Sequence, residues 1–115
     1  MKAEDARRKK MAGQYRGRIN LAVDYIEKNI DKEFTLAEIA AVAGFSKYHF
    51  HRIFFTFTAE SLFQFIQRLR LEKAATLLLN DPARTVADIA LECGFGNSSS
   101  FAKSFKQYFG YTATA

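Results

Sequence analysis

An internal repeat constrains this chain more than anything else in it. Residues 35–57 read TLAEIAAVAGFSKYHFHRIFFTF, and from Thr85 the chain reads TVADIALECGFGNSSSFAKSFKQYF. Thr35, Ala37, Ile39, Ala40, Gly44 and Phe45 recur fifty residues on as Thr85, Ala87, Ile89, Ala90, Gly94 and Phe95. After one inserted residue, Phe50 and Phe54 recur as Phe101 and Phe105, which keeps the apolar spacing of a second helix. Each copy predicts a short helix, a tight turn and a longer helix. Thr35 and Thr85 supply N-caps, with Glu38 and Asp88 placed to reach back in a capping box. Gly44 and Gly94 suit a left-handed residue just past the helix end. Phe45 and Phe95 follow as apolar plugs, and Ser46 or Asn97 can cap the second helix.

The segments around the repeats are also helical in pattern. Tyr15, Ile19, Ala22, Val23, Ile26 and Ile30 fall on one stripe of a core-packing first helix. Between the copies, Leu62, Phe65, Ile66, Leu69, Ala74, Leu77 and Leu78 make an apolar stripe opposite Gln67, Arg68, Arg70, Glu72 and Lys73. At about 1.5 Å per residue the helix predicted over Ser61–Leu79 is roughly 28 Å long, comparable with the roughly 34 Å turn of B-DNA. Asn80-Asp81-Pro82 ends it. The expected organisation is a basic, flexible arm over 1–14, the first helix and first repeat over 15–59, the connecting helix over 60–81 and the second repeat over 82–115. The fold class is all-α, with homeodomain-like helix-turn-helix units.

Composition narrows the function. A chain of 115 residues, 49% of them hydrophobic, has enough apolar material for a packed core. No apolar run is long enough to span a bilayer and no secretory leader is evident, so no membrane partner and a cytoplasmic, nucleoid-associated location are expected. Cys93, the sole cysteine, falls in an apolar helix pattern and reads as a buried, reduced thiol. The net charge of +5 favours a polyanionic partner. Arg7-Arg8-Lys9-Lys10 reads either as a solubilising tail or as an extension that tracks phosphates without reading sequence.

The exposed faces of the second helices carry the functional signal. Beside the core residues Phe50, Ile53, Phe54 and Phe57, the helix starting at Ser46 presents Lys47, Tyr48, His51, Arg52 and Phe55. Arg52 can donate two hydrogen bonds to guanine, His51 can donate to a base acceptor, and Tyr48 can pack on a thymine methyl or a sugar. Lys47, beside the helix start, suits phosphate. The equivalent face of the second copy is Ser98, Ser99, Ala102, Lys103 and Lys106, which is smaller and chemically poorer. Base reading is therefore assigned to Tyr48, His51, Arg52, Ser98, Ser99, Ala102 and Lys103, with the first copy the more discriminating. Phosphate binding is assigned to Thr35, Ser46, Lys47, Thr85, Asn97 and Lys106. An enzyme is not expected: His49 and His51 point in different directions, and no metal-ligand spacing, phosphate loop or nucleophile motif accompanies them. No cofactor or metal is expected. A helical protein-interaction module is the rival reading.

These residues resemble the DNA-binding domain of the AraC/XylS (arabinose-regulator) family of bacterial transcription regulators. The resemblance covers roughly Arg18 to Tyr111. It rests on A-x-x-A-G-F-S-x-x-H-F-x-R-x-F at Ala40–Phe54, on R-L-R-L-E-K-A in the connecting helix, and on I-A-x-x-C-G-F-x-N-x-S-x-F-x-K-x-F-K-x-x-F-G at Ile89–Gly110. It implies about seven helices, two helix-turn-helix subdomains joined by a long helix, double-stranded DNA and RNA polymerase as partners, and a companion effector-binding or dimerisation domain. Carried over residue by residue, it implies recognition by Lys47, Tyr48, His51 and Arg52, and by Ser98, Ser99, Ala102 and Lys103. The sequence departs from the pattern at Ala59, where glycine is usual, and at Ala113, where proline is frequent, which puts the final short helix in doubt. Phe55 and Phe63 stand where polar residues are common, and they read either as partly buried rings or as a contact for a missing domain or partner.

Overall fold

The computed structural model describes residues 2–113, with only the backbone described for Lys2 and Glu4. Six helices lie among them: α1 (Lys2–Lys28), α2 (Leu36–Ala43), α3 (Lys47–Thr58), α4 (Leu62–Asn80), α5 (Val86–Glu92) and α6 (Ser98–Phe109). No strand occurs among the described residues. The final short helix implied by the resemblance falls partly on residues 114–115, outside the described residues.

Residues 2–14, expected as a basic arm, lie in α1, and their side chains from Asp5 to Gln14 are exposed. Ala3, Ala6, Arg7, Arg8, Lys9, Lys10, Met11, Ala12 and Gln14 are all good helix formers, and no proline lies between them and the packed part, although Gly13 and Gly17 each weaken the helix.

The chain divides into two compact units. One is built from the chain up to Lys28 together with Phe34–Phe65, the other from Asn29–Glu33 with the chain from Ile66 onward. In the first, α1, α2 and α3 pack on one another. Ile19, Ala22, Ile26, Ile39, Ala40, Ala43, Phe50 and Phe54 are buried, and the rings of Phe54 and Phe65 meet edge to face at 5.2 Å. Ala40, at 1% exposure, is where the small side chain lets helices approach. In the second unit, Leu71, Ala74, Ile89, Ala90, Cys93, Phe95, Phe101 and Phe105 form one core. Burial pushes the Cys93 thiol pKa up, so the sulfur stays protonated and unreactive.

Turn chemistry follows the repeat closely. Thr35 Oγ1 accepts from Glu38 N at 3.1 Å and Thr85 Oγ1 from Asp88 N at 3.1 Å. Glu38 does not close the expected capping box: its carboxylate accepts instead from the Tyr25 hydroxyl at 2.6 Å, which fastens α2 to α1 and pushes the tyrosine pKa up. The polar face assigned to α4 also contains a structural residue. Arg70 Nε donates to Ile30 O at 3.0 Å and its Nη2 to Lys32 O at 2.6 Å, so the guanidinium holds the Asn29–Glu33 segment onto the second unit. Burial lowers the Arg70 pKa from the ordinary value, and Asp31 acts in the opposite sense. Two carbonyl acceptors replace the water that the cation gives up.

Ala59, where the resemblance implied glycine, adopts the left-handed conformation nonetheless, with φ 60° and ψ 16°, and its N–H bonds to Phe55 O at 2.8 Å. An L-residue there costs about 1–2 kcal/mol. Ala59→Gly should therefore raise stability by about 0.5–1 kcal/mol, after allowing for glycine's extra unfolded-state freedom. A denaturation midpoint that falls on substitution would contradict this.

Candidate nucleic-acid interface

The first candidate face depends on how sharply the chain turns into α3. Gly44, at φ 79°, carries the backbone round, and its N–H and that of Phe45 return to carbonyls at the end of α2. Ser46 then caps α3, its Oγ accepting from His49 N at 3.3 Å. The Phe45 ring wedges the turn, meeting Tyr15 at 5.4 Å and His49 at 5.0 Å, with the Arg18 guanidinium over it at 5.0 Å. His49 is thereby used as an aromatic packing group. Both imidazoles of α3 are exposed, but only the His49 ring is engaged by this aromatic cluster, and His51 lies outside it.

With Phe50 and Phe54 turned inward, Tyr48, His51, Arg52 and Phe55 form one stripe on the outer side of α3, since residues three, four and seven apart share a helix face. Lys47 adjoins it at the helix start, where exposed backbone N–H groups favour anions. Tyr48 is 87% exposed. Lys47, Tyr48, His51 and Arg52 line an open hollow of about 430 Å³ together with Leu36 from the start of α2. Leu36 was not anticipated, although the repeat holds a signal for it: the matching position in the second copy, Val86, is also apolar.

Arg52 is chemically available. Among the described residues no carboxylate pairs with it, whereas Arg68 binds Glu72 at 3.1 Å and Arg84 binds Glu92. The Arg84–Glu92 hydrogen bond raises the Arg84 pKa and balances a cation that would otherwise oppose the dipole at the start of α5.

The second face is built in the same way with one residue more in the turn. Gly94 is left-handed, Gly96 is the insertion, and Asn97 Oδ1 caps α6 by accepting from Ser100 N at 2.8 Å. Phe101 and Phe105 are buried, and Gln67 Nε2 donates to Ser104 Oγ at 3.2 Å, fixing the rotation of α6 against α4. Ser98, Ser99, Ala102, Lys103 and Lys106 are all exposed. Lys106 lies in the last turn, where a cation also favours the helix C-terminus. Thr35, Ser46, Thr85 and Asn97 already accept cap bonds, and their hydroxyl or amide hydrogens remain for an anionic oxygen. Phe55 and Phe63 are 53% and 74% exposed. No cluster of His, Cys, Asp and Glu that could hold a metal occurs among the described residues.

Two units, each with a capped helix displayed outward after a glycine turn, define a double helix-turn-helix protein. A family model described as a helix-turn-helix domain matches residues 21–115. The chain is 35% identical over 88 residues to the right origin-binding protein of Escherichia coli K12, an alignment that covers 76% of this chain and 30% of that protein. It thus spans under a third of that relative's length. An AraC-type regulator structure from Chromobacterium violaceum superposes with a TM-score of 0.80 at 25% identity, over 86% of this chain and 88% of the other. The DNA-binding domain of AdpA, solved in complex with a target DNA, shares the fold with a TM-score of 0.77 at 24% identity, over 84% and 86%. The chain belongs to the AraC-type helix-turn-helix family.

Proposed function

We propose that this chain is the DNA-reading module of a bacterial transcription regulator, a binding protein and not an enzyme, in which α3 and α6 each enter a major groove. The observation that carries the reading is the unengaged stripe Tyr48, His51 and Arg52 around the hollow beside Lys47. In this reading Arg52 takes guanine, His51 a base acceptor and Tyr48 a methyl or sugar edge. Ser98, Ser99, Ala102 and Lys103 make the poorer second set of base contacts. Thr35, Ser46, Lys47, Thr85, Asn97 and Lys106 hold phosphates. The AdpA domain, which carries target DNA on the same fold, supports the assignment. The module would act in the cytoplasm on the nucleoid, within a regulator that also engages RNA polymerase. No helix among the described residues is long and apolar enough to cross a membrane.

A second reading, a protein-interaction module, is favoured by Phe55 and Phe63, which stand exposed where a soluble surface would normally place polar groups. Within the DNA reading these two rings are assigned to a companion domain or partner subunit. Selection from randomised duplexes, followed by titration against salt, separates the readings. The DNA reader should enrich a defined site and lose affinity with a slope of about −0.9 per phosphate contact. Its Phe55→Ser/Phe63→Ser variant should bind that site within about twofold. Absence of enrichment, with binding indifferent to salt, would establish the interaction module instead.

A further inference from the structure

Charge is distributed very unevenly along this chain. Seven of the seventeen Lys and Arg, but only two of the twelve Asp and Glu, precede Ile19. The first eighteen residues therefore carry the entire net charge of +5, and the remainder balances ten cations against ten anions. The chain from Ile19 onward, which contains both helix-turn-helix repeats, is electrically neutral overall. Their shared family match begins at residue 21, after this stretch.

The basic stretch is a helical extension with a defined point of attachment. From Asp5 to Gln14 every side chain is exposed. The helix first packs at Tyr15, whose ring meets Phe45 at 5.4 Å and His49 at 5.6 Å, both edge on. One residue further, the Arg16 guanidinium lies 5.6 Å from the Phe57 ring centroid. His49 is the neighbour of Tyr48 and two residues from His51. The extension thus leaves the first unit beside the opening turn of α3, on the same compact unit as the candidate reading face.

We propose that residues 2–14 of α1 form a basic strut that lies along the sugar-phosphate backbone of the duplex read by α3, adding affinity that depends on salt and ignores sequence. The proposal rests on the DNA reading of α3. Four consecutive cations at 100° intervals, Arg7 to Lys10, place positive charge all round the helix, so any side turned to a phosphate backbone offers a donor. Thirteen helical residues reach about 20 Å, or roughly six base-pair steps at 3.4 Å. A neutral recognition module gains long-range attraction from such an extension that its own surface does not provide. An anionic lipid surface is the less suitable polyanion. The apolar side chains of this stretch are Ala3, Ala6, Met11 and Ala12, without the Trp, Phe or Leu face that embeds an interfacial helix.

The test compares the unaltered chain with a variant in which Arg7, Arg8, Lys9 and Lys10 are all glutamine, which preserves helix propensity. Both are titrated against salt on a selected site and on a random duplex. The variant should bind each duplex more weakly by roughly 100-fold or more near 0.1 M salt, with the salt slope shallower by about 2 to 3.6, up to 0.9 for each cation lost. The ratio of specific to random affinity should not change. Deletion of residues 1–14 should reproduce these shifts, which guards against an effect of the substitutions on folding. Equal slopes for variant and unaltered chain would overturn the strut while leaving the DNA reading intact. A fall in the ratio, with random binding unaffected, would overturn it too, as would cation-dependent binding to phosphatidylserine vesicles alongside equal duplex slopes. Failure of the unaltered chain to bind any duplex would instead sink the underlying reading.

Discussion

Gly94→Ala should remove about 3 kcal/mol or more from the stability of the second unit, whereas Gly44→Ala should remove only about 1 kcal/mol from the first. The two glycines occupy equivalent places in the repeat and both are left-handed, at φ 92° and 79°. That shared conformation costs an L-residue about 1–2 kcal/mol. They differ in what surrounds them. A Cβ at Gly44 meets nothing within 4 Å, while one at Gly94 would lie 2.6 Å from Ile30 O and 2.7 Å from Arg70 Nε. Those two atoms are hydrogen-bonded to each other at 3.0 Å, so the methyl group would intrude on the bond itself. Displacing Arg70 separates a half-buried cation from its carbonyl acceptor, and hydrogen bonds to charged groups contribute about 1.5–3 kcal/mol. Denaturant unfolding followed by circular dichroism, with the transitions of the two units fitted separately, measures both substitutions. Equal losses at the two glycines would show that backbone conformation alone matters and that the Arg70 clasp is immaterial.

This pair also marks where sequence reading stops. Repetition made both turns legible, because a cap, a glycine and a phenylalanine in register twice over leave few alternatives for the local backbone. It could not distinguish the glycines, since the Ile30 carbonyl against Gly94 comes from a segment 64 residues earlier in the chain. Arg70 was hidden for the same reason: a cation on a helix reads as solvated until its acceptors are known. In α4, periodicity selected Leu69 to continue the stripe of Leu62, Phe65 and Ile66, yet the leucine buried after Ile66 is Leu71, with Leu69 half-buried. A single helical stripe assumes one straight core along the helix, and α4 supplies residues to two compact units. The capping box at Glu38 failed because a tyrosine on another helix offered its carboxylate a better donor than the Thr35 backbone. The candidate faces were more legible. Both core stripes are marked by phenylalanines four residues apart, which fixes by elimination which side chains of α3 and α6 point outward. Leu36 escaped because it lines the hollow from a neighbouring helix.

Arg52→Ala should reduce affinity for the selected duplex on the order of 10- to 100-fold and leave random-duplex affinity nearly unchanged, while Lys103→Ala should weaken both by similar factors. The difference follows from donor geometry. A guanidinium presents two parallel N–H groups that match guanine O6 and N7, and such a bidentate pair discriminates against the wrong base by about 1–3 kcal/mol. An ammonium is a point charge whose three donors fit a phosphate as well as a base, so its loss removes attraction common to all sequences. The surroundings accentuate this contrast. Arg52 stands beside exposed Tyr48 and His51 over a hollow with Leu36 in its wall, free of any carboxylate among the described residues, and can present its fork without first breaking a salt bridge. Lys103 is flanked by Ala102 and by the small hydroxyls Ser98 and Ser99, which supply little to orient it. Affinity measured on the selected and random duplexes at several salt concentrations gives both quantities together. Arg52→Ala should relax the preference at the base pair it contacts, and Lys103→Ala should make the salt slope shallower by about 0.9. A larger loss of selectivity for Lys103→Ala than for Arg52→Ala would reverse the ranking of the two units and make α6 the discriminating helix.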